Sequence, residues 1–227
     1  MIVVSGFIVA ACSRDNRSVP ASAKDSRVAP SPAVPAVLLV GTSLTAGYGL
    51  DPADAWSTRL QQKIDSSGLP FHVMNAGVSG ETSADVLHRI DWLLSQGTPA
   101  VIVVETGAND ALRGQPLDAV RANVDAILAR LDTLRPRPVI VVAGMEALPN
   151  LGREYGDSFR RIFPAAAREH HAHYLPFLLA GVAGVDSLNQ ADGIHPNSAG
   201  SRRVADNVWR MLHPVLDSLE REAHARL

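Results

Sequence analysis

Val37-Leu38-Leu39-Val40-Gly41-Thr42-Ser43-Leu44-Thr45-Ala46-Gly47-Tyr48-Gly49 joins an apolar run directly to a turn that carries a serine. Its apolar opening has the length of a strand and stops at Gly41. Ser43 follows two residues later, and small residues then lead toward a helical pattern. A serine in such a turn, at the carboxyl end of a buried strand, sits where parallel α/β sheets carry their chemistry. Alone it decides little, because most turn serines only satisfy backbone groups.

Outward from that turn, strands and helices alternate. Ala36–Val40 is the first expected strand. Trp56, Leu60 and Ile64 share one helical face, and Gly68 ends it. Phe71–Met74 reads as a short second strand. Thr82 or Ser83 caps the next helix, whose inward face is Val86, Leu87, Ile90, Leu93 and Leu94, with Gly97 as its stop. Ala100–Val104 is a continuous, largely β-branched run, the mark of a strand covered on both faces. Pro116 opens a helix bearing Val120, Val124, Ile127, Leu128, Leu131 and Leu134, closed by Pro136. Val139–Ala143 is a fourth strand, and Tyr174–Leu175 a brief fifth. Between them a helix runs through Phe159 and Ile162, with Pro164 as a point of kinking. A last helix carries Val204, Val208, Met211, Leu212, Val215 and Leu219. This order predicts an α/β three-layer sandwich, a central, mostly parallel five-stranded sheet with helices on both faces.

The 227 residues suffice for one ample core. A formal net charge of −2 gives no electrostatic footprint for nucleic acid. Cys12 is the one cysteine, so no intrachain disulfide forms. Ile2 to Ala11 is apolar and short, like the core of a signal peptide rather than a spanning helix. It ends in Val9-Ala10-Ala11-Cys12, which resembles the lipobox of bacterial lipoproteins, with Val9 where leucine is usual. That resemblance implies a lipidated Cys12 and a periplasmic protein, and Ser13 after it favours the outer membrane; plain secretion is the alternative. Residues 13–35 are rich in Ser, Ala, Pro and charge and read as a disordered tether. The domain is expected over residues 36–227.

The chemistry lies in four loops. Gly41-Thr42-Ser43-Leu44 follows the first strand. Asn75-Ala76-Gly77-Val78-Ser79-Gly80-Glu81-Thr82 follows the second. Glu105-Thr106-Gly107-Ala108-Asn109-Asp110 follows the third. Asp192-Gly193-Ile194-His195-Pro196-Asn197 precedes the last helix. A parallel sheet brings the first three to one edge. A serine hydroxyl is a weak nucleophile and needs a base, which His195 can supply. Asp192, three residues earlier, can reach Nδ1 across a turn and leave Nε2 for Ser43. The backbone N–H of Ser43, the N–H of Gly80 and the Asn109 amide can steady an oxyanion.

These blocks together resemble the SGNH (GDSL) hydrolase family, from about Val37 to the C-terminus. Ser43-Leu44-Thr45-Ala46-Gly47-Tyr48-Gly49 and Ser79-Gly80-Glu81-Thr82-Ser83 are most similar to its bacterial arylesterase, acyl-CoA thioesterase and lysophospholipase branch. The resemblance implies the family's flavodoxin-like sandwich and a serine hydrolase of acyl esters or thioesters, without metal or cofactor. It implies Ser43 as nucleophile, His195 as base, Asp192 as orienter, and Ser43, Gly80 and Asn109 as oxyanion donors. The chain departs from the family at Thr42, where Asp is usual. The triad survives this change, but a negative charge beside the nucleophile is lost, with an expected effect on rate or pH profile.

Other clusters have blander readings. Glu169, His170, His171 and His173 suggest a metal, yet a polar helix end explains them. Glu105 and Asp110 are either an acid pair or loop supports. His88 reads as surface, and Arg153, Arg160 and Arg161 as a solvated face or a greeting for an anionic headgroup. The glycines of residues 41–49 are no phosphate loop, since no Lys-Ser/Thr follows. Two other functions stay open: an envelope-carbohydrate O-deacetylase of the same fold, and a lipid-anchored binding protein without turnover.

Overall fold

The computed structural model describes residues 34–225. The expected signal segment, Cys12 and the tether up to residue 33 lie outside the described residues. Five strands form one parallel sheet: β1 (Ala36–Gly41), β2 (His72–Gly77), β3 (Val101–Val104), β4 (Val139–Ala143) and β5 (His173–Leu175). The helices between and after them are α1 (Ser43–Ala46), α2 (Trp56–Ser66), α3 (Ser83–Ser95), α4 (Ala108–Leu112), α5 (Leu117–Asp132), α6 (Arg153–Glu169) and α7 (Ser198–His224).

The sheet order β2-β1-β3-β4-β5 fixes the layers. The chain steps from β1 to β2 in one direction, then returns across β1 to β3 and continues to β4 and β5. With right-handed crossovers, α2 falls on one face and α3, α5 and α6 on the other. The packing agrees: α3 lies against α5 and α5 against α6, while α2 lies against α7. The direction of travel reverses between β1 and β3, and open α/β sheets bind ligands at the carboxyl ends beside such a reversal. Ser43 follows β1 there, and Asn109 follows β3.

The central strands explain themselves. All six residues of β1 and all four of β3 are buried, as continuous apolar runs covered by helices on both faces require. The α3 cap is a reciprocal box in which the Asp85 N–H donates to Thr82 Oγ1 and the Thr82 N–H donates to the Asp85 carboxylate. At the end of α2, Gly68 takes φ +71° just past the cap residue Ser67.

Strands β1, β3 and β5 each differ from the expectation by one residue at one end, and larger differences occur elsewhere. The second strand begins one residue after Phe71 and runs on to Gly77, because all six of its residues pair with β1, from Ala36 with His72 to Gly41 with Gly77. It is an edge strand with no buried residue, so its end lacks a hydrophobic signature. Pro116 is the cap residue before α5 rather than its first residue. The loop after β3 contains α4, opened by Gly107 at φ +95°. Helix α6 continues through Pro164.

Candidate active site

The turn after β1 is built for close approach. A Cβ on Gly41 would stand 2.1 Å from Thr45 Oγ1 and 2.7 Å from Glu105 Oε2, so only glycine leaves room. Thr42 is the residue before α1, and Ser43 begins that single turn, which Gly47 closes at φ +75°. Neighbouring elements pin the turn. Trp56 Nε1 donates to Leu44 O at 2.9 Å, and Asn75 Nδ2 donates to Thr45 O at 2.8 Å. Arg89, paired with Glu81, donates to Gly41 O and Ala76 O. The Glu105 carboxylate accepts from the Thr42 N–H at 2.8 Å, Thr42 Oγ1 at 2.9 Å and Thr45 Oγ1 at 2.8 Å. Burial pushes the Glu105 carboxyl up, against the pull of these donors.

His195 arrives from the loop before α7. Its Nε2 lies 2.9 Å from Ser43 Oγ, and its Nδ1 lies 2.7 Å from Asp192 Oδ2. The other carboxylate oxygen, Oδ1, accepts from the Ile194 N–H at 2.9 Å and the His195 N–H at 3.0 Å. The backbone N–H of His195, followed by its ring, holds the Asp192 carboxyl down at about 2. Asp192 is therefore an anion at neutral pH. An Nδ1–H donating to it leaves the Nε2 lone pair facing the serine hydroxyl. The loop is tied on both sides. The Gln190 N–H donates to His195 O at 2.8 Å, and Gln190 Nε2 donates to Tyr48 O at 2.7 Å. The Tyr48 ring packs on the imidazole with centroids 4.7 Å apart.

The N–H groups of Ser43 and Gly80 donate to no group among the described residues. Gly80 has φ +85°, a conformation that turns its peptide away from a strand-like course. Asn109 Nδ2 donates to Glu81 O at 2.9 Å, which anchors the amide beside Gly80 and leaves it a second N–H. Asp110 secures the same junction by accepting from the Ser83 N–H at 2.8 Å and Ser83 Oγ at 2.6 Å. Ser43, Gly80, Asn109 and His195 all line one cavity of about 640 Å³. Its walls are mostly apolar, with Leu44, Ala111, Leu112, Met145, Leu148 and Phe177 among them.

A family model described as the GDSL-like lipase/acylhydrolase family matches residues 39–203. The chain belongs to that family. The family member named esterase TesA, from Pseudomonas aeruginosa, is 37% identical over 79% of this chain and 89% of its own length. A second, the Escherichia coli K12 protein named thioesterase 1/protease 1/lysophospholipase L1, is 34% identical over 80% of this chain and 85% of its own. Among solved structures, the psychrotrophic esterase EstA from Pseudoalteromonas sp., inhibited by monoethylphosphonate, superposes with TM-score 0.75. It is 31% identical over 80% of this chain and 98% of its own.

All five residues expected at the site of this GDSL-type protein converge: Ser43, Gly80, Asn109, Asp192 and His195. Glu105 and Asp110 act as loop supports, each receiving hydrogen bonds from a different loop. His170 Nδ1 sits 2.7 Å from Asp132 at a helix end, and no group of three metal-capable side chains occurs among the described residues. His88, Arg153, Arg160 and Arg161 are exposed. Sequence reasoning did not find the tilted packing of Tyr48 on His195, nor that Phe177, Leu179 and Ile194 complete the cavity. The aromatic at position 48, five residues after the serine, was the available hint for the first.

Proposed function

We propose that this chain is a serine hydrolase that cleaves carboxylic esters or thioesters through an acyl-enzyme on Ser43. The observation that carries the reading is the unbroken relay from Ser43 Oγ to His195 Nε2, 2.9 Å, and from His195 Nδ1 to Asp192 Oδ2, 2.7 Å. The geometry gives each group a task. His195 Nε2 takes the Ser43 proton as Oγ attacks the acyl carbon. Asp192 holds the ring and stabilises the imidazolium. Negative charge on the carbonyl oxygen meets the N–H groups of Ser43 and Gly80 and the Asn109 amide. The imidazolium returns its proton to the departing alcohol or thiol. Water, deprotonated by the same nitrogen, then releases the acid and restores Ser43.

The cavity supports an extended acyl chain over an acetyl group. Its walls at Leu44, Ala111, Leu112, Met145, Leu148 and Phe177 offer apolar surface well beyond what two carbons need. The family relatives named esterase and thioesterase 1/protease 1/lysophospholipase L1 support ester or thioester substrates. A series of p-nitrophenyl esters from acetyl to dodecanoyl tests this. kcat/KM is expected to rise with chain length over the first several carbons. A site that turns over acetyl and rejects butyryl and longer esters would instead mark a deacetylase.

We also infer that the chain is exported and anchored through Cys12. This rests on the apolar Ile2–Ala11 segment and the small residues before the lone cysteine. Intact mass of protein purified from membranes is expected to match a chain starting at acylated Cys12; a soluble, unacylated product would contradict it.

A further inference from the structure

Glu105 is 1% exposed, and all its side-chain hydrogen bonds come from the two threonines that bracket Ser43. Oε1 accepts from Thr42 Oγ1, and Oε2 accepts from the Thr42 N–H and Thr45 Oγ1. Thr42 and Thr45 are themselves buried, at 0% and 1% exposure. No Lys or Arg pairs with this carboxylate among the described residues. A buried acid satisfied only by neutral donors is costly unless every bond is made. Here every donor belongs to the nucleophile turn. The backbone adds a second tie, since the Glu105 N–H donates to Val40 O at 2.8 Å, just before the same turn. Gly41 completes the fit, because any side chain there would strike both Thr45 Oγ1 and Glu105 Oε2.

We propose that Glu105 is a positioning residue for the reaction, a buried acceptor that acts through Thr42 and Thr45 to aim Ser43. This rests on the serine-hydrolase reading above and extends it from the triad to the support beneath it. Thr42 immediately precedes Ser43, so its orientation sets where the Ser43 N–H and Oγ point. If the three bonds are weakened, Oγ drifts from the 2.9 Å contact with His195 and the Ser43 N–H drifts from the carbonyl oxygen it would meet. The surface that holds the acyl chain is not touched. The loss therefore belongs to kcat rather than to KM.

Three variants test this: Glu105→Gln, Thr42→Val and Thr42→Ser. Gln keeps the shape of Glu but sets an NH₂ group against donors. Val keeps the shape of Thr and removes the hydroxyl, while Ser restores the hydroxyl. Each is assayed with a butyryl ester well below its own Tm, and Ser43 labelling by a fluorophosphonate is timed in parallel. Glu105→Gln and Thr42→Val are expected to lose roughly 10- to 100-fold in kcat, with labelling slowed alongside. KM should stay within about twofold. Thr42→Ser is expected to regain most of the Thr42→Val loss. Should Glu105→Gln fail to fold, the comparison of Thr42→Val with Thr42→Ser decides alone. Parent-like kcat in Thr42→Val, a loss carried by KM, or a Thr42→Ser as slow as Thr42→Val would overturn the proposal while leaving the serine-hydrolase reading intact. If the parent protein hydrolyses the ester without labelling at Ser43, both fall.

Discussion

Asp192 shows how one side chain links fold, charge and rate. Its carboxylate takes two backbone N–H groups from its own turn and the ring nitrogen of His195, so folding lowers its carboxyl from 3.8 to about 2. The unfolded chain consequently binds more protons than the native one between those two values. Stability from this group is complete above about pH 4 and is lost as pH falls through about 2. Asp192→Asn is expected to lower Tm relative to the parent at pH 6, with the gap closing toward pH 2.5. At neutral pH the same variant should lose roughly 10³–10⁴-fold in kcat, because the ring loses the partner that fixes its tautomer. A variant within tenfold of the parent would show that the turn alone orients His195. Since Asp192 remains ionised down to about pH 2, an activity loss at mildly acidic pH belongs to another group. The triad was legible in the chain because Asp192 and His195 are three residues apart and one turn suffices. The bond from Thr42 to Glu105 was not, because 63 residues separate them and only the β1–β3 register brings them together.

Elements were legible where burial leaves a period in the sequence. β1, β3 and β4 are continuous apolar runs, and the α5 stripe from Val120 to Leu131 is buried as its spacing requires. The end of β2 was not legible, since pairing with β1 sets it rather than any side chain. That pairing has a steric consequence at Gly77, the last residue of β2. A Cβ there would stand 2.3 Å from the backbone nitrogen of Ala46 and 2.7 Å from the carbonyl carbon of Thr45. Because both obstacles are backbone, α1 must shift to accommodate it. Gly77→Ala is expected to cost about 1–3 kcal/mol in urea denaturation and to lower kcat, as α1 carries Ser43. Parent-like stability would show that α1 does not rest on the end of β2. Helix α4 escaped sequence reading for a different reason. It is only five residues long, and its start depends on the backbone turn at Gly107.

Across the whole molecule, reversal of strand order between β1 and β3 makes one sheet edge into a site. It sets Ser43 at the end of one strand and Asn109 past the end of its neighbour. The β2–α3 loop contributes Gly80 from the other side. α7 begins just after His195, and its cap residue Asn197 accepts from the N–H groups of Ala199 and Gly200. Helices pack on both faces of the sheet, and the cavity opens where the loops meet. Alternation of strands and helices told the layers in advance. The cavity's reach was less legible, because Phe177 and Leu179 lie in an irregular segment after β5 that carries no period. Catalysis by this protein depends on the reactivity of one hydroxyl, Ser43 Oγ, in the folded state. Treatment with a fluorophosphonate, followed by intact mass and peptide mapping, measures it. We expect one equivalent of adduct on Ser43, abolished in Ser43→Ala together with nearly all ester turnover, on the order of 10⁶-fold. Full turnover by Ser43→Ala, or an adduct confined to some other residue, would rule out Ser43 as the nucleophile.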